Sequence, residues 1–216
     1  MINIDNVSYS YSKGGGVSNI NLNIDDGEFI FMIGPTGSGK TTILRLIYMD
    51  LFPKAGTVSI DKYDSQTIKR RKIPYVRRKI GVIFQNYHLL EDRNLFENIA
   101  LPLHVLGYDK DEIIDLVNES IDDIGLNGKE SHYPYELSGG EQQRACVARA
   151  LIKDPDIILA DEPTGNLDPV ASFELIKLFE EISKQGTSVL MASHNYNLIK
   201  GRGHRIVEMQ NGSIRQ

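Results

Sequence analysis

The chain has one cysteine, Cys146, and no tryptophan. A lone thiol cannot close an internal disulfide or by itself build a cysteine metal site, and it suits a reducing cytoplasm. A surplus of positive charge is also missing. Lys and Arg number 24 against 29 Asp and Glu, for a net charge of −5, which argues against a general nucleic-acid binder, whose affinity comes from neutralising phosphates. The longest apolar runs, such as Phe29–Ile33, fall far short of the roughly 20 residues that span a bilayer. The start, Met-Ile-Asn-Ile-Asp, lacks the basic and apolar stretches of a signal peptide. Any role at a membrane therefore calls for a separate embedded partner. Internal repeats and low-complexity linkers are absent as well. What remains is an ordinary globular composition, 41% hydrophobic and 25% charged over 216 residues, which favours a single domain spanning 1–216.

The pattern along the chain is of the α/β type. Ile2–Tyr11 and Ile20–Ile24 alternate apolar and polar positions around Gly14-Gly15-Gly16, so they read as an N-terminal antiparallel β-layer. Phe29–Ile33 is a buried strand that enters a glycine-rich turn, and Thr41–Met49 follows with helical spacing. Ile80–Phe84, Ile157–Ala160 and Ser188–Ala192 are short apolar runs suited to a mainly parallel core sheet. Between the first two of these runs, Ile113, Ile114, Val117, Ile121 and Ile124 mark an inserted helical lobe over roughly residues 86–154. Asn211-Gly212, between Ile206–Met209 and Ser213–Ile214, predicts a closing hairpin.

Gly34-Pro35-Thr36-Gly37-Ser38-Gly39-Lys40-Thr41 fits G-x-x-x-x-G-K-[ST], with Thr42 next in the helix. In such a P-loop, backbone N–H groups and a helix N-terminus wrap the phosphates of a nucleoside triphosphate. Lys40 would reach the β and γ phosphates and Thr41 would offer its hydroxyl to Mg²⁺. A chance match in a chain of this length is on the order of 1 in 100, so an ordinary glycine-rich turn is the weaker reading. Asp161-Glu162 ends an apolar run, which delivers two carboxylates to the usual ligand edge of an open α/β sheet. Asp161 would hold Mg²⁺, and Glu162 would act as general base, or orient the attacking water, for in-line attack on the γ phosphate.

Leu137-Ser138-Gly139-Gly140-Glu141 has capping-box spacing, with Ser138 three residues before Glu141. Two glycines are poor choices for a first helical turn, and they make sense where a phosphate must approach exposed N–H groups. Since the chain already has one phosphate cradle, this second anion site would serve a nucleotide held by another copy of the protein.

Together these segments, with Gln85, Gly165-Asn166-Leu167-Asp168 and His194, resemble the ABC ATPase family in order and approximate spacing across nearly the whole chain. The resemblance implies a P-loop ABC-type nucleotide-binding domain that hydrolyses ATP with Mg²⁺. It also implies a head-to-tail homodimer with composite sites, in which Ser138, Gly139 and Gly140 contact the partner's ATP and Asp168 lies at the interface. Gln85 would sense Mg²⁺ and water, His194 would contact the γ phosphate, and Tyr11 would stack on adenine, with Tyr9 as the alternative stacker. One departure from the family pattern is Asn195, where an acidic residue usually follows the histidine.

Within that family, Ile73–Gly81, His88–Arg93 and Met191–His194 with Leu198-Ile199 resemble the FtsE family of cell-division ATPases most. The lipoprotein-release and macrolide-export ATPases share Glu136–Gln143 and Ala160–Asp168 in similar form. The first resemblance implies an FtsX-like integral membrane protein as partner at the cytoplasmic face of the inner membrane, and no nucleic acid. A nucleotide-regulated scaffold with incidental turnover is the competing class of function. Tyr87, Leu89, Leu90, Leu95 and Phe96 either form the partner contact or fill the helical lobe. Lys69, Arg70, Arg71, Lys72, Arg77, Arg78 and Lys79 either face anionic lipid or form a solvated surface.

Overall fold

The computed structural model describes residues 1–215. Two sheets form its frame. The first contains β1 (Ile2–Ser10), β2 (Gly16–Ile24), β4 (Ala55–Ile60) and β5 (Tyr63–Asp64), ordered β2-β1-β4-β5 and antiparallel throughout. The second contains β3 (Phe29–Ile33), β6 (Ile80–Ile83), β7 (Ile157–Asp161), β8 (Ser188–Ser193), β9 (Arg205–Gln210) and β10 (Ser213–Arg215), ordered β10-β9-β3-β8-β7-β6. All its pairings are parallel except the terminal hairpin β9–β10.

β3 lies inside the sheet, between β9 and β8, and a core packs on each of its faces. Ile30 and Met32 turn to one core with β1, β2, β4 and helix α1 (Lys40–Ile47), while Phe29 and Phe31 turn to a second core with α5 (Gly139–Leu151) and α6 (Pro169–Lys184). This is why β3 reads as a continuous apolar run and not as an alternation. Fully burying a side chain such as Phe31 or Phe179 contributes about 1.5–3 kcal/mol.

A third core lies between β6 and β7 in the chain, where α3 (Leu95–Leu106) and α4 (Lys110–Asp123) pack on α5 through Leu95, Ile99, Leu103, Ile113, Val117 and Ile121. α5 serves two cores. Ala145 and Ala148 face the helical lobe, and Cys146, Val147 and Ala150 face the sheet. Asn94 with Glu97 forms a complete capping box at the start of α3, and Gly107, with φ 85°, ends that helix.

Several boundaries differ from the sequence expectation. The helix after the P-loop is Lys40–Ile47, because Met49 turns to φ 55° and Asp50 N–H bonds back to Arg45 O. β2 begins at Gly16, four residues before the expected Ile20. β4 and β5, which complete the first sheet, and the short helix α2 (Ile73–Arg78) lie outside the expected pattern. α6 has a local signal in Asp168-Pro169 and in the spacing of Leu175, Ile176, Phe179 and Ile182, but it too lies outside that expectation.

The nucleotide site and its comparison with known proteins

β3 delivers the chain into the glycine-rich loop, and α1 leaves it with Lys40 as its first residue. Gly39 caps α1 at φ 107° with no side-chain cap, so the first N–H groups of the helix are left for an external anion. Gly34 is required for a different reason. A Cβ there would lie 2.3 Å from Met209 O and 2.7 Å from Ser38 Oγ. The terminal hairpin thus presses on the loop from behind, and Gly212 N–H donates to Ser38 O at 3.0 Å. That support comes from the far end of the chain and has no local signal in the sequence.

A cavity of about 460 Å³ opens in front of the loop, lined by Thr36, Gly37, Gly39, Lys40, Thr41 and Thr42 on one side and by Gln85, Asp161, Glu162 and His194 on the other. Gly34, Pro35 and Ser38 are not among the lining residues. Lys40 is nearly buried, and its ammonium donates to Gly34 O (2.7 Å) and Pro35 O (3.2 Å) while pairing with Glu162 Oε1 at 3.2 Å. Glu162 Oε2 accepts from His194 N–H at 3.1 Å and lies 2.8 Å from His194 Nδ1. Glu162 itself sits in the left-handed region at φ 49°, a conformation that costs on the order of 1–3 kcal/mol and concentrates at working sites. One carboxylate therefore bridges the phosphate-loop lysine and the histidine at the end of β8.

Asp161, the last residue of β7, is the other acidic group. Burial pushes its carboxyl above the ordinary range, a hydrogen bond with Thr41 pulls it down, and the Glu162 charge raises it again. Its Oδ1 is buried without a hydrogen-bond partner, as is Ser38 Oγ. A buried carboxylate oxygen left unpaired beside a threonine hydroxyl is what a hard cation with oxygen ligands requires, so these residues fit Mg²⁺.

At the mouth of the cavity, Tyr11 donates to or accepts from Thr42 Oγ1 at 3.3 Å. Tyr9 meets the Tyr11 ring edge-on, with centroids 5.0 Å apart, and packs against the first core. Of the two candidate stackers, Tyr11 lines the cavity and Tyr9 does not.

Ser138, Gly139, Gly140 and Asp168 lie outside the cavity lining. Ser138 caps α5 in a capping box with Glu141, whose carboxylate accepts from Ser138 N–H (2.8 Å) and Ser138 Oγ–H (2.9 Å). The Lys129 ammonium and these bonds hold the Glu141 carboxyl down at about 2. Asp168 caps α6, accepting from Val170 and Ala171 N–H. Gly139 and Gly140 are partly accessible at the tip of α5.

Past Gln85 the chain turns through Tyr87 and His88, both with positive φ. Arg149 from α5 clamps this turn, donating to His88 O (2.7 Å) and Tyr87 O (2.9 Å), and the Cys146 thiol also reaches Tyr87 O. Burial pushes that thiol up to about 12, so it is an unreactive packing group. The backbone after Gln85 is thereby tied to the helix that begins at Ser138, a link invisible to motif spacing.

The apolar set expected to meet a membrane partner is only partly exposed. Leu95 is buried, and Tyr87, Leu89 and Phe96 pack against the cores, which leaves Leu90 at the surface. Leu89, Leu95 and Phe96 belong to the helical lobe and Tyr87 to the second core, while Asn98, itself fully buried, fastens the loop at Leu90, Arg93 and Asn94 to α3 through four hydrogen bonds. A partly apolar groove lies along the edge strand β6. Tyr48, Val82, Phe84, His88 and Pro102 line its volume of about 210 Å³ beside Arg149 and Lys153. No helix among the described residues is long and apolar enough to cross a membrane.

The chain is similar to known ATP-binding proteins over nearly its whole length. The family described as ABC transporter matches residues 17–165. The cell division ATP-binding protein FtsE of Mycobacterium tuberculosis is 41% identical over 216 residues, covering 99% of this chain and 94% of its own. That of Bacillus subtilis is 42% identical over 215 residues, with the same coverage. A dimeric ATP-binding cassette solved in a post-hydrolysis state with ADP and Pi bound superposes with a TM-score of 0.90 at 33% identity, covering 100% of this chain and 97% of that one.

Proposed function

The chain belongs to the ABC transporter family and is an ATPase of that family, and on that premise we propose that it drives an FtsE-like complex. In this reading an FtsX-like integral membrane protein holds it at the inner face of the cell membrane, and hydrolysis controls cell-wall hydrolases during division. The cell-division relatives, alike over nearly the full length of the chain, support this branch over the exporters.

The observation that carries the chemistry is Glu162 held between Lys40 and His194 at the floor of the phosphate loop. The lysine ammonium contacts two carbonyls and one carboxylate. ATP would exchange that carboxylate for its β and γ phosphates, which frees Glu162 to take a proton from the attacking water. His194 and Gln85 border the same cavity and would position the γ phosphate and that water. Thr41 and Asp161 would hold Mg²⁺, which neutralises phosphate charge when bound. Tyr11 would carry the adenine.

Ser138, Gly139 and Gly140 point to a second copy, because they offer helix N–H groups outside their own chain's cavity. The dimeric ATP-binding cassette among the solved structures supports such closure. Sedimentation of the Glu162→Gln protein tests it. ATP with Mg²⁺ should convert monomer to dimer, and Gly139→Asp should abolish the conversion while leaving ATP binding in place. A protein that stays monomeric under saturating ATP contradicts the composite site.

A further inference from the structure

From Ser65 to Leu90 the chain has no acidic residue, yet it carries seven Lys and Arg in a protein of net charge −5. Two of the seven are committed internally. Arg77 donates to Tyr48 O and Met49 O and lies over the Tyr48 ring, and Lys79 pairs with Asp61 and Asp156. The other five, Lys69, Arg70, Arg71, Lys72 and Arg78, are exposed and form no ion pair among the described residues. Tyr75 lies among them at 48% exposure, with the Lys72 ammonium 4.9 Å and the Arg78 guanidinium 5.0 Å from its ring centre.

We propose that this surface of α2 and the turn before it binds anionic phospholipid headgroups. Charge complementarity is the first argument. Clusters of four to eight Lys and Arg next to a membrane attract anionic lipid, roughly fivefold in affinity per charge. The second argument is Tyr75, since an exposed tyrosine flanked by cations suits the boundary between headgroups and water, where aromatic rings with a polar tip collect. The third is position. Arg77 anchors α2 to Tyr48, and Tyr48 lines the groove along β6. An occupant of that groove coming from a membrane protein would bring the basic surface toward the bilayer. Only this placement rests on the partner reading; the lipid affinity does not.

Nucleic acid and acidic protein segments share the charge but lack the other features. An extended polyanion would also meet the repulsion of a chain acidic overall, whereas headgroups need to reach only this one face.

The test uses the purified full chain without any membrane partner. Co-sedimentation with phosphatidylglycerol–phosphatidylcholine vesicles should show binding that pure phosphatidylcholine lacks and that weakens as salt shortens the Debye length. Replacing Arg70, Arg71 and Lys72 together by Gln should lower it on the order of 10²-fold, and replacing the two arginines by Lys should preserve it. ATP hydrolysis in the absence of vesicles should stay unchanged in both variants, which reports an intact fold. No binding to the anionic vesicles, or binding indifferent to the triple substitution, overturns the proposal. So does a preference for an oligonucleotide or an acidic peptide over vesicles. Neither result touches the ATPase or partner readings, which the dimerisation and capture experiments test separately.

Discussion

Glu162→Gln alters the site at its narrowest point. The wild-type carboxylate uses Oε1 for Lys40 at 3.2 Å and Oε2 for His194 at 2.8 Å, in a pocket where Lys40 is 6% and Glu162 14% exposed. An amide keeps the size but removes the charge, one acceptor and all capacity to take a proton from water. Loss of a general base costs roughly 10²–10⁴ in rate, or about 3–5 kcal/mol of barrier. Binding should move the other way. ATP must displace the carboxylate from Lys40, and a neutral amide is the weaker competitor, so the ATP dissociation constant should hold or fall. Phosphate release at saturating ATP gives the first quantity, and titration calorimetry with the same protein gives the second. A loss of hydrolysis smaller than about tenfold, or a parallel loss of ATP affinity, would refute the assignment of Glu162 as base and as the occupant of Lys40.

The other contacts make separable predictions. Arg149→Ala removes both hydrogen bonds that hold the Tyr87–His88 turn; a cost of about 2–4 kcal/mol is expected, visible as a fall in Tm on the order of 5–12 °C, and an unchanged Tm would show that the clamp is idle. Tyr11→Ala should weaken ATP binding by about 1–3 kcal/mol if the ring carries the base, whereas Tyr9→Ala, which opens the first core, should lower Tm and spare affinity. Glu141 gives a pH signature. Its folded carboxyl is depressed to about 2 from an ordinary value of 4.5, so its stabilising effect is complete above 4.5 and lost as the pH falls toward 2. Glu141→Gln should flatten the acid limb of Tm against pH in that window, and an unaltered limb would place the acid sensitivity elsewhere.

Much of this candidate site is legible in the sequence because its chemistry is local. A strand, a glycine-rich loop, a helix start and a strand ending in two carboxylates each leave a short, ordered trace, and Ser138 with Glu141 announces a helix N-terminus by spacing alone. What was not readable depends on contacts distant in sequence. The pressure of Met209 on Gly34, the pairing of β1 with β4, and the fork of Arg149 on Tyr87 and His88 join residues 47 or more positions apart. The apolar residues after Gln85 show the limit of composition. Leu90 and Leu95 are chemically alike, yet one is 40% exposed and the other 1%, and the loop pinned by Asn98 decides between them. Tyr9 and Tyr11 are two positions apart, Tyr9 inside β1 and Tyr11 just past its end, and of the two only Tyr11 borders the cavity.

The central claim is an ATPase that works through a membrane partner, and capture of that partner tests it most directly. Tagged Glu162→Gln protein, expressed in its host and purified with ATP from gently solubilised membranes, should bring down an FtsX-like integral membrane protein. Phe84→Asp, placed in the β6 groove, should lose that protein while still binding ATP. Capture of a lipoprotein- or drug-exporter permease would replace the cell-division reading with transport, and a protein that binds ATP but retains no membrane protein would contradict the coupling altogether.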